Sequence, residues 1–86
     1  MLITITNDKE IDTDRDLSPE ERHVVQKLIG WKGLVDSMEQ FRQKTRAALQ
    51  TGWNNQGPVR LSPTLALIVA QLEQELSTRL AEKNRR

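Results

Sequence analysis

The 86-residue chain contains no cysteine, which excludes disulfides and thiolate metal sites. Its single histidine, His23, has no cysteine to pair with and stands between Arg22 and Val24, where a structural place on a helix surface is expected. No nucleophile turn accompanies it, so no Ser-His-Asp set can be argued. Glycine is too scarce for a phosphate-cradling loop, because Gly30 and Gly33 stand alone in a stretch that reads as helical. The longest apolar run, Leu65 to Ala70, falls far short of the ~20 residues that span a bilayer. Met1 to Asn7 has neither a basic start nor the long apolar stretch of a secretory signal. These absences set the expectation of a cytoplasmic, bacterial-type protein with no catalytic residues, no cofactor, no metal and no membrane partner.

Aromatic residues are also few, at 3%, and Trp31, Phe41 and Trp53 are the bulky candidates for a core. A chain of this size buries only about 60% of its unfolded surface. With 36% hydrophobic residues, such a core is lean, and lean small domains gain by association. A homodimer is therefore expected.

Charge is plentiful at 29%, and the net value of +1 hides an asymmetry. Residues up to Glu21 carry a balance of −5, and those from Arg22 onward carry +6. An acidic leading segment can shield a basic surface or pair with a basic partner.

Leu2-Ile3-Thr4-Ile5-Thr6 has the β-branched alternation of a short strand. Its pairing partner is expected to be Pro58-Val59-Arg60-Leu61 or the same strand of a second chain. Asn7 to Asp16 is polar and acidic and reads as loop. Ser18-Pro19-Glu20-Glu21 then combines a capping serine, a proline in the first turn and a glutamate at the third helical position, so a helix starts there. Val24, Val25, Leu28 and Ile29 form one apolar face, whereas Leu34, Val35, Met38, Phe41, Ala48 and Leu49 form another. At ~100° per residue the two faces diverge by more than heptad drift explains. A break at Gly30 to Gly33 would let both reach one core, and replacing both glycines with alanine is expected to destabilise the fold. Gly52 sits where a left-handed residue closes a helix.

Ser62-Pro63 repeats the serine-cap, proline start. Leu65, Ile68, Val69, Leu72, Leu76 and Leu80 follow at helical spacing. Ala66, Leu67 and Ala70 make the opening turns of that helix apolar on every side, so this half is expected to be enclosed.

Three constellations could carry function. Asp12, Asp14 and Asp16 are spaced like the start of an EF-hand loop, but Leu17 stands where the turn needs glycine and His23 where the bidentate glutamate belongs. No metal site follows. Glu21 to Gln43 has the outline of a helix-turn-helix, yet the register based on Gly30 places Asp36 and Glu39 in core slots and that based on Gly33 buries Lys32. Basic residues cluster as Arg42, Lys44 and Arg46, which gives a nucleic-acid surface as an alternative function. Finally, Trp53, Asn54, Asn55 and Gln56 place a tryptophan among adaptable amides in a long connection. With Arg60 beside them, they are candidate partner-binding residues.

The expected fold is mainly α and forms one domain over residues 1–86. A strand and acidic loop occupy 1–17, and a helical core occupies 18–86. Three helical segments, Pro19 to Ile29, Leu34 to Thr51 and Pro63 to Lys83, are expected, the last two as an antiparallel hairpin with the first folded across them. The expected function is a non-catalytic interaction or regulatory module with a protein partner, acting as a homodimer.

Overall fold

The structure, a computed structural model, describes residues 2–5, 9–52 and 57–83. Two strands, β1 (Leu2–Ile5) and β2 (Lys9–Asp12), precede three helices, α1 (Pro19–Lys32), α2 (Met38–Thr51) and α3 (Pro63–Lys83). The architecture is mainly α with a short antiparallel ribbon, as the sequence pattern requires. Trp53, Asn54, Asn55 and Gln56 lie outside the described residues.

The helix starts follow from their caps. The Ser18 hydroxyl accepts from the Glu21 N–H at 3.2 Å, and Glu21 Oε1 accepts from the Ser18 N–H at 3.0 Å. This reciprocal pair satisfies two backbone donors that the first turn leaves open. Ser37 caps α2 by accepting from the Gln40 N–H, and Ser62 caps α3 by accepting from the Leu65 N–H. α2 ends at Gly52, whose φ of 63° and ψ of −152° fall where L side chains are strained.

Each helix contributes one stripe to the core. Val24, Val25 and Leu28 come from α1, Phe41, Thr45 and Ala48 from α2, and Leu65, Ile68, Leu72 and Leu76 from α3. Phe41 is fully buried, which stabilises by roughly 1.5–3 kcal/mol. Thr45 joins this apolar set because its hydroxyl donates to the Phe41 carbonyl at 2.9 Å, leaving no polar group unmatched.

Long-range pairs set the helix directions. Glu21 meets Ser62 and Lys32 meets Glu75, so α1 and α3 run parallel. Arg42 faces Glu73 and Asp36 faces Lys83, so α2 runs antiparallel to α3. α1 packs against both other helices.

The structure departs from the sequence expectation at four places. First, β1 pairs with β2 rather than with the segment before α3: Ile3 faces Ile11 and Ile5 faces Lys9 within the ribbon. The stretch read as loop supplies β2, because the lone Ile11 is 2% exposed and anchors it on the core. Ile5, buried, and Ile3, half-buried, share that face, since directly opposed residues project to one side. Second, the break falls later than expected. α1 continues through Gly30 to Lys32, and residues 33–37 form the turn. Third, neither Gly30 nor Gly33 adopts a positive φ, so the turn does not depend on glycine freedom. Fourth, the start of α3 is not enclosed, for Leu67 is 38% exposed and Ala70 faces solvent. α1, α2 and the ribbon all lie on the opposite side of α3.

Candidate functional site

The junction of α1 and α2 holds an open cleft of about 400 Å³ lined by Trp31, Leu34, Val35, Gln40, Gln43 and Lys44. The turn that shapes it is tied down along its length. The Trp31 carbonyl accepts from the N–H groups of both Leu34 and Val35. The Val35 carbonyl accepts from the Arg79 guanidinium at 2.8 Å, which fastens the turn to α3. The Asp36 N–H donates to the Gln40 side chain, and Ser37 begins the next helix. With its neighbours fixed and Val35 turned into the core, Leu34 is held outward and is 78% exposed.

Beside it, Lys44 Nζ stands 5.6 Å from the centre of the half-buried Trp31 ring. That distance is within reach of a cation–π contact. The cleft thus offers an aliphatic side chain, an aromatic face, one cation and two primary amides. Its chemistry is that of recognition, suited to an apolar anchor flanked by an acceptor. Sequence reasoning assigned Leu34 to an apolar face and did not single out Trp31 as a site residue. The available signal was the pairing of two large apolar residues three apart at the end of a helix.

Arg42, Lys44 and Arg46 do not form one surface. The helical projection puts Arg42 and Arg46 on the α3 side of α2, where Arg42 Nε lies 3.8 Å from Glu73. Lys44 projects to the other flank, against Trp31 on α1. Arg60 is exposed and borders a depression of about 280 Å³ shared with Ser18, Glu20, Glu21, Val59 and Ser62.

At the floor of that depression the Glu21 carboxylate joins two helix starts. Besides its bond to the Ser18 N–H, it accepts from the Ser62 hydroxyl at 2.5 Å. Partial burial pushes its pKa up, but the bonds from Ser62 and Ser18 outweigh this and hold the group below its usual value.

The aspartates ahead of α1 are spent on local turns. Asp14 N–H donates to the Asp12 carboxylate, Asp12 N–H donates to that of Asp16, and Arg22 reaches Asp14 at 3.3 Å. Among the described residues, no group of three or more His, Cys, Asp or Glu could hold a metal ion, and no helix is long and apolar enough to cross a membrane.

Comparison with protein-family models, curated proteins and solved structures gives no match.

Proposed function

We propose that the chain is a non-catalytic interaction module that acts as a homodimer and receives a protein partner in the cleft between α1 and α2. The observation that carries the docking reading is Leu34: a leucine held 78% exposed by a fully tethered turn, next to an aromatic face. Scattered exposed leucines need no explanation, but this one stands with an aromatic ring in a concave site, and apolar lining with a few polar groups is how binding clefts are built. Lys44 adds a preference for acidic partners, so the segment that fits carries an aliphatic or aromatic residue beside a carboxylate. The homodimer reading is supported by the lean aromatic content and the uncovered start of α3.

A paired experiment tests the docking reading. The full chain and its Leu34→Asp variant are each used to capture proteins from the source cell, and any protein retained by the first alone is purified and titrated against both. A loss of at least about 30-fold in affinity, near 2 kcal/mol, supports the cleft. Equal binding by both chains removes it. Retention on duplex DNA that falls steeply with salt would replace the reading with phosphate binding.

A further inference from the structure

We infer that the outward face of α3 is a homodimer seam, in which α3 packs antiparallel against α3 of a second copy about a two-fold axis level with residue 72. The inference rests on the homodimer reading above and assigns the face that forms it.

The buried stripe of α3 is Leu65, Ile68, Leu72 and Leu76. Opposite it, at ~100° per residue, lie Pro63, Leu67, Ala70, Gln74, Ser77 and Ala81, all exposed. None can ionise, although 29% of the chain is charged. Four of the five charged residues of α3 reach other parts of the protein instead. Glu73 meets Arg42, Glu75 meets Lys32 and Lys83 meets Asp36. Arg79 donates to the Val35 carbonyl. An ordinary surface helix has the reverse pattern, with charge directed away from the core. Here five turns face outward with no charge to desolvate, and Gln74 and Ser77 are the polar side chains among the six.

The stripe is also complementary to itself. A two-fold interface brings residue i against j and j against i. With the axis at residue 72, Leu67 meets Ser77, Ala70 meets Gln74 and Pro63 meets Ala81. In each central pair a large side chain faces a small one, so the helices can interlock at the ~8–10 Å spacing of packed helices. A parallel arrangement would set Leu67 on Leu67 and Ala70 on Ala70, a collision beside a gap. At the flank, Thr78 donates its hydroxyl to the Gln74 carbonyl, so it can be covered without losing a hydrogen bond.

The seam would be about 30 Å long and one helix, ~10 Å, wide. That is less than a standard interface buries, so the association is proposed as a weak, reversible one.

Sedimentation equilibrium of the full chain from about 10 μM to about 1 mM should show a reversible monomer–dimer equilibrium. Ala70→Glu sets carboxylates from both copies close to the axis and should weaken association at least ~100-fold. Its circular dichroism melt at low concentration should stay unchanged, because the site is exposed and glutamate favours helix. Gln50→Glu, on the exposed side of α2, should leave the dimer intact. Since the chain has no cysteine, Ala70→Cys chains mixed with Gln74→Cys chains should form the mixed disulfide under mild oxidation, while Ala81→Cys chains should not join to themselves.

A dimer that survives Ala70→Glu overturns the seam and leaves the homodimer reading standing. A wild-type chain that stays monomeric over the whole range overturns both. Self-joined Ala81→Cys chains overturn the antiparallel arrangement.

Discussion

At the scale of single residues, two glycines have opposite roles. Gly30 lies within α1 with nothing within 4 Å of where a Cβ would stand. Gly33 has an ordinary 3.7 Å neighbour and a right-handed φ. Alanine at both should therefore raise stability by about 1 kcal/mol through helix propensity, the reverse of what a glycine-dependent break demands. At Gly52 a Cβ would come within 2.2 Å of the Gly57 carbonyl oxygen, in a left-handed backbone. Gly52→Ala should cost about 3 kcal/mol. Thermal melts of the two variants should move in opposite directions, and a shared direction would contradict these glycine environments. Gly52 was legible because helix closure by a left-handed glycine is a local rule. The exposure of Leu34 was not, since periodicity places a residue on a stripe but does not say which side of that stripe lies under a neighbour.

Between elements, the Glu21 carboxylate couples the start of α1 to the start of α3. Its folded pKa is held below the usual carboxylate value, so the stabilisation is present above the unfolded pKa and is lost as pH falls through the folded one. Ser62→Ala removes the donor that bridges the two helices. It should raise the pKa of Glu21, move the acid-unfolding midpoint to higher pH, and cost about 1 kcal/mol at neutral pH through the lost cap. Carboxyl-carbon NMR titration of Glu21 checks the first of these, and an unchanged titration would show that Ser62 does not hold the group.

Both serine caps were readable in the sequence because they lie within three residues of what they cap. Their meeting through Glu21 spans 41 positions and leaves no local trace. β2 was unreadable for a related reason. With Lys9, Glu10 and Asp12 around one isoleucine, it has no apolar alternation, and tertiary packing of Ile11 overrides propensity.

At the scale of the whole molecule, three parallel or antiparallel stripes close one core, yet α3 remains uncovered along one side. If a second copy covers it, folding and association are linked by mass action. The thermal midpoint should then rise with protein concentration over the range where the dimer forms, and Ala70→Glu should abolish that rise. A midpoint independent of concentration for the wild-type chain, measured across the same range, would count against association of the folded state. The apolar start of α3 was visible in the sequence as a demand for cover. What was not visible is that one chain leaves the demand unmet.

The ribbon carries a further consequence, for solubility. A two-stranded sheet is a template for edge-to-edge stacking, the route by which small proteins aggregate. Here β1, which has no charge, lies against α3, and among the described strands β2 pairs with β1 alone. Three of the four residues of β2 are charged, so a strand joining its open edge would meet ionised side chains on both faces. The acidic segment that looked like a loop thus works as a gatekeeper, turning intermolecular strand pairing away while the helical surface stays free to associate.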